Sequence, residues 1–200
     1  MGGLTMVATE SPKPDLKSDR DRLWETWESL EPPPGSRAEI LQGAIIVSPT
    51  PTSGHNLVFS ILIEQLVPNT QPRRWAVTNT ESIKLPATDE AVIPDLIVVP
   101  KDTLRSDDEW LISSEHVRLV AEITSPSTRH RDLVWKRDSY AGSDIPIYLI
   151  VDRYDGDGTV TMYHEPDGHG RYLERKTVRY GQPLELPSPF EFNLDTKEFT

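Results

Sequence analysis

Three charged side chains stand within segments whose other residues are mostly apolar. Asp95 lies in the run VIPDLIVVP, Glu122 in VRLVAEITSPST and Lys136 in RHRDLVWKRDSYAG. A carboxylate inside an apolar strand is costly unless it is paired or holds a metal ion. Each of these residues alone is typical of an ordinary structural position, for example an ion pair on a helix surface. Their combination is what indicates a functional site.

Two acids and one lysine favour metal-assisted hydrolysis of a phosphodiester. Carboxylate oxygens bind Mg²⁺ at about 2.0–2.1 Å, and the bound ion polarises a phosphate and lowers the pKa of its water. A lysine aimed at the same place can orient the nucleophile or stabilise the charge that develops on the phosphate. We expect Mn²⁺ to substitute for Mg²⁺.

Two short strands must position the two acids. Residues 92–99 are apolar, rich in β-branched side chains and too few for a helix, so they predict a buried strand. Pro94 places Asp95 near the start of this strand or at a bulge, because proline cannot donate to the ladder. Residues 117–124 predict a second buried strand around Glu122.

The helix after the second strand is expected to carry the lysine. Ser125-Pro126-Ser127-Thr128 ends the strand and offers hydroxyl groups for an N-cap. Asp132, Lys136 and Tyr140 are four residues apart and share one helix face, so Asp132 is placed to pair with Lys136. Gly142 is suited to cap the helix. If Lys136 acts on the phosphate, Lys136→Met should spare folding and metal binding but cut cleavage by about 10²-fold or more.

Several strings resemble the Uma-two family of restriction-endonuclease-like proteins, within the PD-(D/E)XK nuclease superfamily. They are PDLIVV, AEITSPST, D-x-x-x-K-x-x-x-Y and IPIYLIVD, preceded by AEILQGAIIVSPTPTSGHN, and they span about residues 35–165. The resemblance implies a Mg²⁺-dependent DNA endonuclease in which Asp95, Glu122 and the backbone carbonyl of Ile123 hold the metal. Lys136 would position water and stabilise the transition state. The usual superfamily lysine would stand where this chain has Thr124, and the family resemblance places it at Lys136 instead.

Three further residues are open candidates for the same site. Glu39 lies in a predicted strand, where it is either an additional site acid, as the resemblance suggests, or an exposed strand residue. His55 stands at the start of a predicted helix, where a histidine is usually a cap or a core contact. Asp132 precedes Lys136 by one helical turn.

Composition predicts one ordinary globular domain. The 200 residues are 36% hydrophobic and contain no cysteine, which excludes disulfides and thiolate metal sites. No run of about 18 apolar residues and no signal peptide occurs, so we expect no membrane span and a cytoplasmic location. The net charge of −11 argues against tight nonspecific DNA binding. Basic residues nevertheless cluster at 73–74 and 129–137.

The rest of the chain predicts helices and strands around these segments. Residues 1–18 are expected to form a flexible tail and 19–200 a single domain. A helix with two tryptophans that pack is predicted at 19–30, a hairpin around Gln42-Gly43, and a helix that Pro68 stops. A strand beside the hairpin is predicted at 75–85, a polar insertion at 101–114 and another buried strand at 145–151. Further strands are predicted at 159–164, 172–180 and 190–194.

These elements predict an α/β fold of the restriction-endonuclease-like type. It has one mixed sheet flanked by helices and an added antiparallel meander at the C-terminus. A homodimer is expected, because cutting both strands of a duplex needs two sites or two encounters, and the apolar C-terminal strands offer a surface for it. The alternative function is a noncatalytic DNA- or protein-binding module on the same scaffold. A hydrolase of small phosphate esters is less favoured, because no nucleotide-binding loop is present.

Overall fold

A computed structural model describes residues 17–105 and 110–199. Most of the predicted tail, residues 1–16, lies outside the described residues, and Ser18 caps the first helix. The helices are α1 (Asp19–Glu28), α2 (Ser53–Thr70), a π-helical segment (Arg131–Lys136) and α3 (Arg137–Gly142). The strands are β1 (Ser36–Leu41), β2 (Ala44–Pro49), β3 (Trp75–Thr78), β4 (Ser82–Leu85), β5 (Glu90–Val92), β6 (Leu96–Pro100), β7 (Leu111–Ser113), β8 (Leu119–Ile123), β9 (Ile147–Asp152), β10 (Thr159–Pro166), β11 (Tyr172–Arg179), β12 (Leu184–Leu186) and β13 (Phe192–Leu194).

The described strands form two large sheets and one small one. The larger sheet has the order β11-β10-β9-β8-β6-β3, in which only β8 and β9 run parallel. The second has the order β2-β1-β5-β4-β7, and β12 pairs with β13 alone. The predicted fold class, a mixed sheet with flanking helices, is confirmed. The expectation of a single sheet is wrong, since the hairpin β1–β2 belongs to a second sheet.

The six-stranded sheet is buried on both faces by alternating side chains. Leu96 and Val98 of β6 pack with α2, whereas Ile97 and Val99 of the same strand face the five-stranded sheet. Period-two alternation in an all-apolar strand therefore supplies two different cores. One predicted feature of the periphery also holds: Trp27 is buried and its indole Nε1 donates to the Ala38 carbonyl at 3.0 Å.

Two predicted strands turn out to be broken where the chain passes from one sheet to the other. The run 92–99 contains the end of β5 in one sheet and most of β6 in the other, with Pro94 between them. The run 75–85 is split in the same way into β3 and β4, and β4 rather than β3 lies in the sheet of the hairpin. A continuous apolar run looks the same in sequence whether it serves one buried sheet or two, so the breaks were not visible. Asp95 does stand immediately before β6, as Pro94 predicted.

The end of one helix also differs from expectation. Pro68 lies in the last turn of α2, which ends two residues later, because a proline there costs only one intrahelical bond. The C-terminal strands β10 and β11 are antiparallel to their neighbours, as predicted, and they extend the six-stranded sheet. None of the described helices is long and apolar enough to cross a membrane.

Candidate active site

Asp95 is held where the chain enters β6. Its Oδ1 accepts from Arg37 Nη2 at 2.9 Å, and its Oδ2 lies 3.0 Å from His55 Nε2 and accepts from the Ile123 backbone N–H at 2.9 Å. Burial alone would raise the pKa of Asp95, but the hydrogen bond from His55 and the charge of Arg37 hold it well below its usual range. Asp95 is therefore a fixed, ionised carboxylate.

Glu122 is the second acid, and it faces the space between the two sheets. It shares its strand face with Val120, which packs toward the five-stranded sheet. Its Oε1 accepts from Lys136 Nζ and from Tyr140 Oη, each at 2.8 Å. Burial raises the pKa of Glu122 to about 8; Lys136 opposes this shift, and the charges of Asp95 and Asp132 add to it. Its Oε2 makes no hydrogen bond with the described residues.

Lys136 lies behind Glu122, at 1% exposure. Its ammonium bridges Glu122 Oε1 at 2.8 Å and Glu39 Oε1 at 2.7 Å. Burial would lower the pKa of Lys136, but the charges of Glu122 and Glu39 raise it. No ion pair between Lys136 and Asp132 is present within the described part of the chain. The π-helical turn changes the angle between positions four apart, so the α-helical pairing does not form.

Glu39 is the other partner of Lys136 and belongs to the five-stranded sheet. Its Oε1 also accepts from the Ile93 backbone N–H at 2.8 Å, and its Oε2 is buried without a partner among the described residues. Burial would raise the pKa of Glu39, but Lys136 and Arg37 lower it. Glu39 is thus a buried charged residue, and not an exposed strand residue.

A cavity of about 220 Å³ brings the predicted residues together. It lies where the parallel strands β8 and β9 end, at the edge at which α/β sheets commonly bind ligands. Asp95, Glu122 and Ile123 line it, together with His55, Asp132 and Arg37, whereas Lys136 does not. Burial raises the pKa of Asp132 to about 6, with Lys136 opposing the shift and Asp95 adding to it.

Two arginines at the cavity were not singled out from the sequence. Arg37 precedes Glu39 by two residues on β1, so both point to the same face, and this period-two relation could have identified it. Arg153 follows β9 and also lines the cavity. A Cβ built on Gly54 would lie 2.7 Å from Arg153 Nη2, so the glycine leaves room for that guanidinium.

The net charge around the cavity favours the binding of a cation. Four buried carboxylates face three cations, which leaves a formal excess of one negative charge: the acids are Glu39, Asp95, Glu122 and Asp132, and the cations are Arg37, Arg153 and Lys136. Carboxylate oxygens are the donors that Mg²⁺ prefers. No group of three or more His, Asp or Glu side chains in the described ranges has a metal-holding arrangement. Asp95 and Glu122, which both line the cavity, are nevertheless donors of the kind that Mg²⁺ prefers.

Comparison with known proteins gives the family. Residues 24–197 match the Uma2 family, whose description is "Putative restriction endonuclease". The chain belongs to the Uma2 family. This membership confirms the resemblance carried by the PDLIVV and AEITSPST strings. No curated protein matches the chain.

A solved structure shows the same fold as this Uma2 chain. It is described as "a putative nuclease belonging to DUF820" from Anabaena variabilis ATCC 29413. The two share 17% sequence identity with a TM-score of 0.65, over 88% of this chain and 95% of the other. Nearly the whole of both proteins therefore has a common architecture.

Proposed function

We propose that the protein is a Mg²⁺-dependent DNA endonuclease that hydrolyses phosphodiester bonds. The observation that carries the proposal is the pair Asp95 and Glu122 in one cavity, where β6 and β8 pair, with a formal excess of one negative charge around them. Membership of the Uma2 family supports the same reaction class.

The proposal assigns metal binding to some residues and the orientation of the metal ligands to others. Asp95, Glu122 and the Ile123 carbonyl would hold the metal, which when bound supplies polarisation of the phosphate and a more acidic water. His55 fixes the orientation of Asp95, and Lys136 with Tyr140 does the same for Glu122. Lys136 is thus a positioning residue that acts through Glu122.

Other side chains would accept the proton of the attacking water and bind the charged phosphate. Asp132 lines the cavity, and its pKa of about 6 suits a base that takes the proton of the attacking water near neutral pH. The water oxygen forms a bond to phosphorus while the bond to the leaving oxygen breaks, and the leaving oxygen is protonated by solvent. Arg37 and Arg153 would bind the phosphate oxygens, as guanidinium groups commonly do.

The noncatalytic module is a second candidate, because Lys136 does not line the cavity. Supercoiled plasmid incubated with Mg²⁺, and with EDTA as the control, separates the two. Nicked or linear product that forms only with Mg²⁺ supports the endonuclease. Intact plasmid, combined with DNA binding by gel shift in Ca²⁺, would identify the module instead.

We expect the protein to be a homodimer built on β11. Among the described residues this strand is one of the two edges of the six-stranded sheet, and Leu173 on it is 66% exposed. Light scattering should give about twice the 22.6 kDa of one chain, and Leu173→Glu should give the monomer mass. Leu57→Glu, at a comparably exposed leucine on α2, is the control and should keep the dimer. A monomeric wild type that still linearises plasmid would overturn the expectation.

The stability of the metal-free protein should fall as pH rises from about 5 to about 8. Folding raises the pKa values of Glu122 and Asp132, so the protonated form of each carboxyl favours the folded state. This contribution to stability is lost as pH rises through the folded-state pKa, about 6 for Asp132 and about 8 for Glu122. Mn²⁺ needs the ionised carboxylates, so its affinity should increase over the same range. Thermal denaturation at several pH values, with and without Mn²⁺, measures both effects. Glu122→Gln should flatten the upper part of the metal-free profile; an unchanged slope in that variant would contradict the assignment.

A further inference from the structure

A second cavity, of about 440 Å³, opens beside the first. The two share a wall that includes Arg37, His55 and Asp95. We call the first the inner cavity and the second the outer cavity. A ligand group in the inner cavity that contacts Arg37 is therefore next to whatever occupies the outer one.

The outer cavity has a different chemical character from the inner one. Apart from the shared wall, none of its lining residues is charged. Its lining combines an aromatic ring and two prolines with amide and hydroxyl groups, from Phe59, Pro49, Pro51, Asn56, Ser60, Asn79 and Thr80. Such a lining does not favour a second phosphate or a metal ion. It suits an uncharged flat group that is apolar on its faces and polar at its edge.

The loop at the rim of the outer cavity is held in a strained conformation. Thr80 has φ of +62°, a value that a β-branched residue rarely adopts. Its hydroxyl donates to the Asn79 carbonyl at 2.6 Å. Strain of this kind persists where the surrounding structure imposes it, and it is concentrated at ligand-binding sites. The conformation keeps Asn79 and Thr80 at the cavity rim.

We propose that the outer cavity binds one nucleobase of the strand whose phosphate occupies the inner cavity; this inference rests on the proposed function. A base and its phosphate are joined through one sugar, so a phosphate on Arg37 brings its base to the neighbouring cavity. Phe59 would stack on the base, and the amides of Asn56 and Asn79 would bond to its edge. A base stacked within a duplex cannot enter such a pocket, so the base must leave the stack.

The proposal has a direct consequence for substrate choice. Unpairing and unstacking cost least where the base is already mismatched, damaged or single-stranded. The protein should therefore favour single-stranded or mispaired positions over perfectly paired duplex.

The test compares DNA with and without bases. Anisotropy in Ca²⁺ measures binding of an oligonucleotide of about ten thymidines, within the range of known single-strand sites, and of an abasic oligomer with equal charge. Wild type should prefer the thymidine oligomer by about 10-fold, since stacking one base is worth a factor of that order. Phe59→Leu should remove most of this preference. Phe192→Leu is the matched control, because Phe192 is likewise partly buried against the main core but lines neither cavity.

A second variant tests the same pocket if Phe59→Leu does not fold. Ser60 is exposed on α2 at the cavity, so Ser60→Trp should fill the pocket without disturbing the core and should also abolish the preference. If wild type cleaves plasmid but Ser60→Trp and folded Phe59→Leu keep the base preference, the base-pocket proposal is wrong and the nuclease proposal stands. If wild type does not cleave plasmid but the variants lose its base preference, the base-pocket proposal stands and the nuclease proposal is wrong. Absence of both cleavage and binding in wild type would refute both.

Discussion

Asp95→Asn should abolish Mn²⁺ binding and reduce plasmid cleavage by at least about 10²-fold, the scale for losing one group that acts on the transition state. The substitution keeps the size of the side chain and removes the charge that Arg37, His55 and the Ile123 N–H surround. An amide retains one acceptor oxygen, so the segment between β5 and β6 should keep its path. Titration calorimetry with Mn²⁺ and a plasmid time course measure the two effects.

Asp152→Asn is the matched control for that experiment. Asp152 is also a buried carboxylate at a strand end, but it binds Arg129 and Thr124 and does not line the inner cavity. Its substitution should leave Mn²⁺ affinity and cleavage nearly unchanged. Equal Mn²⁺ binding by wild type and Asp95→Asn would remove Asp95 from the metal site.

Lys136→Met should destabilise the fold strongly, which corrects the expectation that folding would be spared. The lysine is completely buried between Glu39 and Glu122, so methionine leaves two carboxylates without their cation. Breaking a buried ion pair in this way costs about 3–5 kcal/mol. For a domain of this size the melting temperature should fall on the order of 10 °C, as differential scanning calorimetry can record.

Two comparisons separate the role of the charge from the loss of a lysine as such. Lys84→Met removes a lysine whose ammonium lies over the Trp24 ring on an exposed strand position, and it should change the melting temperature little. The double variant Glu39→Gln/Lys136→Met removes one orphaned charge and should recover part of the lost stability. A melting temperature for Lys136→Met equal to that of wild type would show that the buried pairs do not form.

The sequence was sufficient to place the two acids on their elements but not to predict the surroundings of the lysine. Pro94 and the apolar runs correctly placed Asp95 at a strand start and Glu122 within a strand. Arg137 and Asp138, which follow Lys136, resemble a solvated helix face, and the π-helical turn that buries Lys136 has no sequence signal. Arg37 is 58 positions from Asp95, so their contact depends on how the two sheets pack, which local patterns do not contain.

The division of the site between two sheets has a consequence for folding. Arg37 and Glu39 belong to the five-stranded sheet, and Glu122 belongs to the six-stranded one. A chain in which only one sheet has formed holds only some of the charged residues of the site and lacks the cavity that they share. We therefore expect the site of the proposed activity to exist only after the two sheets have come into contact.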